Sequence, residues 1–572
     1  MTQPDAVEDD FALEANFIEQ AEYLEKARFL QLLTEHPDEE TIIKKLTGGG
    51  AKLLIGPRGC GKSTLLLKAY YLIVAQKTIN TLPIYVNFKL ALKVEPLYHK
   101  GPNAAFWFRR WLFIKVLLSI HNTIADAVEM EVGNALPSKL VLERALSRVE
   151  AGRSTDEELD DYALDKVHGA IEEILSLNDM SRCVLLMDDA AHAFSEKQQE
   201  DFFDFFREIK SKRISPKAAV YPGVTSHSPS FHVGHDAERV DVWVRPYGSD
   251  YERYMIDMAR RRFGDTPHDF FETSSEELSL LAYSAFGIPR AFLSMIRAIA
   301  DSKNSYISSE QKLQRRKVLE LSRQGRDMSH ATFASLGSKL PAYKAFIESG
   351  SKIYQSILST LKAYNTGKPL PQHGLQFGMK SPISPEIEKT LGFLQYSGLV
   401  MPAGDTMRGV KGTYELFDIH FGDLIAENTI VGRRTKSISS FLEVLRGVKH
   451  QAWPRINDAS LINTAHLGDA PFALALPACQ VCGTERPSES ARFCSNCGAQ
   501  LKSASTYESL VSQNISVLPI SNRMKKRIKE NSNIRTVRDI LIDTSRDRLR
   551  GIKYIGEIRA AKIISAAEEH IS

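Results

Sequence analysis

The stretch LLIGPRGCGKSTLLLKAY, residues 53–70, determines the fold class that we predict for this chain. Three apolar residues precede Gly56-Pro57-Arg58-Gly59-Cys60-Gly61-Lys62-Ser63-Thr64, and an apolar helix start follows. This is the phosphate-loop pattern of glycine, four residues and Gly-Lys-Ser between a strand and a helix. Backbone N–H groups of such a loop converge on phosphate oxygens, and side chains in place of its glycines would block that approach. The alternative is a glycine turn that merely precedes a helix.

Residues 56–64 are therefore the predicted contacts of a bound nucleotide. Lys62 supplies a positive charge for the β- and γ-phosphates, and the Ser63 hydroxyl is placed for Mg²⁺. A second part of the same site is predicted at Cys183-Val184-Leu185-Leu186-Met187-Asp188-Asp189, where an apolar strand ends in two carboxylates. Asp188 would hold Mg²⁺, and Asp189 would orient or deprotonate the attacking water.

Length and composition indicate a soluble protein of several domains. The 572 residues are too many for one core, and 43% apolar with 25% charged residues is ordinary for globular chains. No apolar run reaches the roughly 18 residues that span a bilayer, and the acidic start is unlike a signal peptide. We therefore expect a cytoplasmic protein with no membrane partner.

Polar residues at further strand and helix ends extend the predicted site. Thr225 and Ser226 follow a candidate strand at 218–224, and Arg239 precedes another at 240–244. Gly287-Ile288-Pro289-Arg290 places proline in the first turn of a helix, so that Arg290 projects from that turn.

This set of features resembles the AAA+ ATPases, especially the origin-recognition and related signalling branch, over about residues 45–305. The resemblance implies an α/β nucleotide-binding core at 46–248, a helical lid at 249–305, ATP and Mg²⁺ as ligands, and homo-oligomers formed through the core. It also implies that Thr225 or Ser226 is a first sensor, that Arg290 is a second sensor, and that Arg239 is an arginine finger. Asp189 stands where many relatives carry Glu, which favours a slow nucleotide switch over brisk hydrolysis.

Two clusters within the core have alternative interpretations. Phe106, Trp107, Phe108, Trp111 and Phe113 lie beside Arg109 and Arg110, and they form either a base-stacking surface or buried core. His227, His232 and His235 are either metal ligands or exposed loop residues.

The flanking segments divide into further predicted units. Residues 1–45 form an N-terminal helical segment, 306–335 a connector, 336–430 a winged helix (α+β) and 431–478 a linker with a short helix around 437–447. The winged helix is predicted from a helix at 385–397, a strand at 399–401, and a hairpin tip at 404–412 that holds Arg408 and Lys411. Origin-type ATPases often carry such a domain after the lid, and its helix and wing can contact DNA. Packing against protein is the alternative, because Glu386 and Glu388 on the predicted recognition helix would repel phosphates.

Four cysteines between 479 and 500 predict a metal centre. Cys479-x2-Cys482 and Cys494-x2-Cys497 each run on to glycine, so that four thiolates can surround one Zn²⁺ ion. The pattern resembles a zinc ribbon, and a redox dithiol pair is the alternative. Some twenty residues have too little core to fold alone, so the metal would supply the stability.

The tail, residues 506–572, carries five more basic than acidic residues, whereas the whole chain has a net charge of +3. Its predicted architecture is a small all-α helix-hairpin-helix domain with a tight turn at Ile555-Gly556, and its balance of charge predicts a polyanionic partner. The order of residues resembles the C-terminal domain of the bacterial RNA polymerase α subunit. That resemblance implies DNA contacts at Arg523 and Gly556, and the basic residues Lys525, Lys526 and Arg527 favour general duplex binding. The alternative is a solvated basic helix in a protein-binding module.

These features support two hypotheses. The first is an AAA+ ATPase that couples nucleotide binding or hydrolysis to assembly on nucleic acid, with DNA as the expected partner. The second is a nucleotide-gated signalling switch of a bacterial anti-phage defence system, whose C-terminal modules recognise a protein or a foreign trigger. The sequence offers no second catalytic constellation, so any effector activity would belong to a protein partner.

Overall fold

The computed structural model describes residues 21–76, 80–99, 104–127, 130–189, 196–263, 268–301, 312–409, 412–431, 437–447, 453–465, 505–543 and 545–571. Between 465 and 505 it also describes residues 472, 474, 476, 478–479, 481–486, 491, 493–499 and 501. The predicted N-terminal helical segment, residues 1–45, therefore lies partly outside the described residues, and so do Lys411 and parts of the predicted linker and ribbon.

The first part of the chain alternates strands with helices. Its elements are α1 Lys26–Leu32, α2 Glu39–Thr47, β1 Lys52–Ile55, α3 Lys62–Val74, β2 Thr81–Asn87, α4 Ala104–Asp126, α5 Lys139–Glu150, α6 Asp156–Asp160, α7 Leu164–Leu177, β3 Arg182–Asp188, α8 Glu196–Ile209, β4 Ile214–Val220 and β5 Glu238–Asp241. A 3₁₀ helix, Ala91–His99, follows β2. The helical lid comprises α9 Tyr251–Phe263, α10 His268–Thr273, α11 Ser275–Ser284 and α12 Pro289–Asp301.

The five strands form one parallel sheet in the order β2-β3-β4-β1-β5. Successive residues of a strand face opposite sides, and both sides are apolar, as expected for a sheet with helices on each face. On β3, Leu185 belongs to the hydrophobic cluster that includes α4, α7 and α8, whereas Leu186 belongs to the cluster that includes α2 and α3. The predicted α/β class is confirmed at this level.

The parallel arrangement brings the carboxyl ends of the strands to one edge of the sheet. β3 ends at Asp188, at the predicted position, and lies one strand away from β1 because β4 is inserted between them. The strand expected at 218–224 is instead β4, which ends at Val220. The chain then turns at Gly223, which has φ +72° and on which a Cβ atom would lie 2.1 Å from the backbone of Gly392.

The aromatic cluster of α4 is largely core. Phe108, Trp111 and Phe113 are each no more than 1% exposed, and Trp111 packs against the Phe88 ring with 5.7 Å between centroids. Burial at this level excludes these three rings from stacking on a nucleic-acid base. Of the histidines in the later loop, His227 packs between Phe203 and Phe231, while His232 and His235 are exposed.

Residues 315–465, which we call the second module, join the lid in one hydrophobic core. The elements of this module are α13 Arg315–Lys339, α14 Lys344–Asn365, β6 Gln376–Lys380, α15 Pro385–Tyr396, β7 Val400–Met407, β8 Thr413–Ile419, α16 Phe421–Ala426, α17 Ile438–Arg446, β9 Arg455–Ile456 and α18 Asp458–Ala465. Its strands form a sheet in the order β7-β8-β6-β9.

Part of the segment predicted as a linker is integrated into this module. α17 contributes Phe441 and Leu445 to the shared core, and α18 contributes Leu461. β9 pairs in parallel with β6, and the Trp453 ring occupies the space where Gly378 has no side chain. The short helix predicted around 437–447 is present as α17, but it is packed into the core and is not part of a linker. The elements at 453–465 were not predicted, because their weak periodicity concealed single buried residues.

The expected recognition helix of the winged helix, α15, packs against protein. Its residues Ile387, Leu391, Phe393 and Leu394 are buried, and its Gly392 lies against Gly223 of the core. The residues of α15 that stay exposed are Pro385, Glu386 and Glu388, so its open face is acidic and the packing alternative fits α15. The hairpin after it is different, since Met407 is 83% exposed.

Residues 505–571, which we call the tail domain, comprise α19 Thr506–Val511, α20 Asn522–Asn531, α21 Val537–Leu541, α22 Asp547–Arg550 and α23 Glu557–Ile571. Ile552 and Ile555 in the turn between α22 and α23 are buried in the domain's own core. That core also contains Leu92 from the 3₁₀ helix after β2, so the tail domain is seated on the first part of the chain. No helix among the residues described here is both long enough and apolar enough to cross a bilayer.

A buried polar cluster lies at the start of α16. Asp423 accepts hydrogen bonds from Tyr354 Oη at 2.7 Å and from His330 Nε2 at 3.0 Å. His420 beside it is fully buried, and neither of its ring nitrogens has a hydrogen-bond partner among the described residues. Burial lowers the pKa of His420 from 6.5 to about 4, because a charged imidazolium would lose its hydration.

We expect this histidine to make the second module sensitive to acid. Because the folded-state pKa is depressed below the unfolded value, the unfolded chain binds a proton between pH 6.5 and about 4 that the folded chain does not, so stability is lost as the pH falls through that window. The loss is roughly 3 kcal/mol at its limit. In His420→Leu, the thermal midpoint followed by circular dichroism should fall less than that of the wild type between pH 7 and 4.5.

The exposed His235 provides the control, since His235→Leu should retain the wild-type pH dependence. An unchanged pH dependence in His420→Leu would contradict the assignment of acid sensitivity to His420.

Candidate nucleotide-binding site and metal centre

The loop between β1 and α3 has the backbone shape that its glycines permit. Gly59 and Gly61 have φ of +84° and +98°, a region that other residues rarely adopt. A Cβ atom on Gly59 would also lie 2.9 Å from Cβ of Arg290. α3 begins immediately after the loop, at Lys62, so its first backbone N–H groups lack intrahelical acceptors and face the loop. A helix start of this kind favours an anion.

Lys62 is buried at the centre of the loop. Its Nζ donates hydrogen bonds to the backbone oxygens of Gly56 at 2.7 Å and Pro57 at 2.9 Å, and it lies 3.7 Å from the centre of the Tyr221 ring. Burial lowers the pKa of Lys62, and the neighbouring Cys60, Asp189 and Asp188 partly offset that effect. The ammonium group is thus placed beside backbone oxygens that a phosphate oxygen would readily replace as acceptors.

Asp188 lies behind the loop, 1% exposed, and accepts a hydrogen bond from Tyr85 Oη at 2.7 Å. Burial, followed by the charge of Asp189, raises the pKa of Asp188 to about 7, while hydrogen bonds from Tyr85 and Ser63 act in the opposite direction. The side chains of the two predicted Mg²⁺ ligands, Ser63 and Asp188, therefore lie near each other. A hydroxyl beside a buried carboxylate pair suits a hard divalent cation, so the residues present fit Mg²⁺.

Asp189 follows the end of β3 with φ of +51° and faces the cavity in front of the loop. Tyr221 Oη donates a hydrogen bond to its Oδ1 at 2.9 Å. Tyr221 is the first residue after β4, and it thus contacts both Lys62 and Asp189. The sequence analysis missed Tyr221 because it looked for a sensor among short polar side chains such as Thr225 and Ser226. The position of Tyr221 directly after a strand of the parallel sheet could have identified it.

The predicted sensor and finger residues lie at different places relative to the site. Arg290, in the first turn of α12, faces the same cavity, and its backbone N–H donates to the Gly59 oxygen at 3.3 Å. The Thr225 hydroxyl accepts from the backbone N–H of Tyr221, and the Ser226 N–H donates to Gln199, so both stabilise the turn after β4. Arg239 lies exposed on β5 at the edge of the sheet. Sensor roles for Thr225 and Ser226 and a finger role for Arg239 stay predictions.

The loop is also held from the second module. The backbone N–H of Arg58 donates to the Tyr396 oxygen at 3.0 Å, and the Tyr396 ring lies 5.6 Å from that of Tyr221. The last residue of α15 therefore packs against the loop and against Tyr221 of the candidate site. Sequence reasoning missed this contact, which joins residues more than 300 positions apart.

The far end of the chain also reaches the cavity. Glu569, near the end of α23, lines it together with Arg58, Ser63, Thr64 and Arg290. Nothing in the local sequence of α23 marks this residue, because an acidic pair near a helix end is commonly solvated.

The four cysteines form the second candidate site. Their sulfur atoms all lie within 4.8 Å of one another. Among the described residues, no other group of three or more His, Cys, Asp or Glu side chains is close enough to share a metal ion. The Sγ–Sγ distances of Cys479–Cys497 and Cys482–Cys494 are both 3.5 Å, too long for a disulfide and close to the roughly 3.8 Å that Zn–S bonds of about 2.3 Å imply for a tetrahedral site.

The two cysteine turns repeat one geometry. The N–H of Gly483 donates to the Cys479 oxygen at 2.8 Å, and the N–H of Gly498 donates to the Cys494 oxygen at 3.0 Å. Each turn thus directs two thiols to one point. The donor set fits a closed structural Zn²⁺ site.

The predicted DNA-contacting residues lie on the surface of the tail domain. Arg523 and Lys526 of α20 are exposed, and so is Gly556 in the turn before α23. Lys525 donates to the Ser516 oxygen at 2.8 Å. The Arg527 guanidinium lies 4.7 Å from the centre of the Tyr554 ring, which places α20 beside that turn.

Comparisons with known proteins give little further information. No model of a protein family matches the chain. A comparison with curated proteins finds no match either. Among solved structures, Cdc6p from Pyrobaculum aerophilum is similar at 13% identity, over 72% of this chain and 94% of that chain, with a TM-score of 0.29. So low a TM-score does not establish a shared fold.

We expect the cysteine cluster to hold one zinc ion. The double variant Cys482→Ala/Cys494→Ala removes one thiolate from each turn and should lose the metal, because two ligands do not close a tetrahedral site. Zinc released from the denatured protein, measured with pyridylazoresorcinol, should fall from about one equivalent to near zero. Ser495→Ala, in the second turn, is the control that should keep the metal. A full equivalent in the double variant would contradict the assignment.

Proposed function

We propose that this chain is an ATP-binding ATPase of the AAA+ type that couples the nucleotide to binding of DNA through its tail domain. The observation that carries the proposal is the convergence at one sheet edge of a glycine loop, Lys62, the Ser63–Asp188 pair and Arg290. These groups come from three separated stretches of sequence. A phosphate chain with its cation needs all of them together.

The roles follow from the chemistry of each group. Backbone N–H groups of residues 56–64 would bind the phosphates, and Lys62 would exchange the oxygens of Gly56 and Pro57 for phosphate oxygens. Ser63 and Asp188 would hold Mg²⁺, which when bound offsets the charge of the phosphates. Arg290 is within the same cavity as these groups and would contact the terminal phosphate.

Asp189 would position the attacking water. Its carboxylate is shorter than a glutamate's and is held by Tyr221 Oη, which restricts how far it can reach. Slow turnover follows, and the chain would spend much of its cycle with nucleotide bound. Arg239 is exposed at the sheet edge and does not line the cavity, so its proposed finger role would act on the nucleotide of a second copy in a homo-oligomer.

A specific observation also favours the second candidate, a nucleotide-gated signalling switch. The loop is contacted by Tyr396 of the second module and by Glu569 of the tail domain. Occupancy of the site can therefore alter modules that would recognise a protein or a foreign trigger. An anti-phage context for such a switch stays a prediction.

The nucleotide assignment is tested at Lys62. In Lys62→Ala, affinity for ATP should fall roughly 10- to 100-fold, because charge-assisted hydrogen bonds contribute about 1.5–3 kcal/mol. Fluorescence titration with an N-methylanthraniloyl derivative of ATP measures the change. Lys44→Ala, an exposed position on α2, is the matched control. Unchanged affinity and turnover in Lys62→Ala would contradict the proposal.

The DNA assignment is tested on α20. Arg523→Ala/Lys526→Ala should weaken binding to a duplex and reduce the slope of log affinity against log salt by about 2, because two phosphate contacts are lost. Fluorescence anisotropy with a labelled duplex at several salt concentrations measures both quantities. The control is Lys139→Ala/Arg144→Ala, an exposed basic pair on α5. Identical binding by the two double variants would favour a protein partner instead.

A further inference from the structure

The last helix of the chain places a carboxylate inside the candidate nucleotide site. The Glu569 carboxylate pairs with the guanidinium of Arg290 and lies 3.4 Å from Nη2 of Arg58. Its backbone oxygen accepts hydrogen bonds from Arg58 Nη2 at 3.1 Å and from Lys339 Nζ at 3.2 Å. One residue of the tail domain thus contacts the phosphate loop, the lid and the second module.

The charges around Glu569 are those of an anion-binding site. Burial alone would raise the pKa of Glu569, but the nearby Arg290, Arg58, Lys89 and Lys339 outweigh it and hold the pKa at about 2. The adjacent Glu568 pairs with Lys89 at 3.5 Å. The carboxylate is therefore ionised at any physiological pH, and it occupies the two arginines as a phosphate group would.

The tail domain has a second attachment, which does not involve the nucleotide site. Glu95 of the 3₁₀ helix accepts hydrogen bonds from Ser505 Oγ at 2.5 Å and from the Tyr507 N–H at 3.4 Å, at the start of α19. Leu92 of the same 3₁₀ helix is buried in the core of the tail domain. Loss of the Glu569 contacts alone would thus leave the tail domain attached through Leu92 and Glu95 while its contact with the nucleotide site opens.

We propose that Glu569 is an internal ligand of the nucleotide site, and that the terminal phosphate of a bound nucleoside triphosphate displaces it from Arg58 and Arg290. This inference rests on the proposed function of the site. It identifies the last helix as the element that distinguishes a triphosphate from a diphosphate.

The displacement follows from electrostatics. Arg58 belongs to the loop that would hold the phosphates, and the backbone of Arg290 touches Gly59 of the same loop. A terminal phosphate and a carboxylate are both anions, and two anions sharing two arginines in a partly buried site repel each other. The terminal phosphate has more negative charge and three oxygens, so it would replace the Glu569 carboxylate as the partner of Arg58 and Arg290. A diphosphate lacks that terminal group and would leave Glu569 in place.

α23 connects the displacement of Glu569 to the candidate DNA-binding surface of the tail domain. α23 is one helix of 15 residues that begins at Glu557, next to the exposed Gly556, and reaches Glu569 about 18 Å further along at about 1.5 Å per residue. Movement of its far end would be transmitted to the turn that carries Tyr554. By reciprocity, DNA on the tail domain would change the affinity for the triphosphate by the same factor that the triphosphate changes the affinity for DNA.

The first test compares two nucleotides. Mg²⁺ complexes of N-methylanthraniloyl ATP and ADP are titrated into the full-length wild type, Glu569→Gln and the control Glu557→Gln, which makes the same charge change at the other end of α23. Glu569→Gln should bind the triphosphate about tenfold more tightly, within the usual range of coupling between sites, and the diphosphate within about twofold of the wild type. Glu557→Gln should change neither affinity. Equal shifts for both nucleotides, or no shift for either, would overturn the inference.

The second test uses the wild-type chain, so it does not depend on the folding of a variant. Hydrogen exchange of peptides covering 557–571 should become faster with the β,γ-imido analogue of ATP and stay unchanged with ADP, while peptides covering 505–511 keep their protection. Unchanged or slower exchange at 557–571 with the analogue would overturn the inference.

Failure of the proposed nucleotide-site function and failure of the proposed role of Glu569 would give different results. If the wild type binds neither nucleotide, or binds both independently of Lys62, the proposed function is wrong. If binding depends on Lys62 but neither the ATP-to-ADP ratio nor the exchange of α23 responds as stated, only the role of Glu569 is wrong.

Discussion

The structure depends on how a buried positive charge, Lys62, is accommodated at the edge of an apolar sheet. The strands beneath it are mostly apolar on both faces, so Lys62 finds its partners among backbone oxygens and the groups at the strand ends. Parallel strands supply those groups because all of them finish at the same edge. Its ammonium group is stabilised by the oxygens of Gly56 and Pro57, by the Tyr221 ring and by the charges of Asp188 and Asp189.

Local chemistry explains which parts of the site could be predicted from sequence. The loop, the carboxylates after β3, Pro289 at the start of α12 and the paired cysteines each depend on residues within a few positions of one another. Tyr221, Tyr396 and Glu569 could not be found in this way. Their partners are distant in the chain, and a tyrosine or a glutamate in an amphipathic stretch is more often core or solvated surface than part of a site.

The same distinction applies to the fold. The parallel sheet was predictable because its strands are apolar runs with polar ends, whereas the shared core of the lid and the second module was not. α15 has the length and the position expected of a recognition helix, yet seven of its residues are buried against neighbouring elements. Periodicity indicates that a helix face is apolar, but it does not say whether the covering surface is DNA, solvent or another domain.

The seating of Leu92 in the core of the tail domain has a consequence for how this architecture could be recombined. A domain whose core includes a side chain from another part of the chain, as the tail domain includes Leu92, would not keep a complete core if it were moved to another protein. Transfer of residues 505–571 to another protein would leave a hole where Leu92 inserts and would leave the start of α19 without the Glu95 carboxylate. Any exchange of this module between lineages would therefore have to bring along, or re-create, the surface of the Ala91–His99 helix.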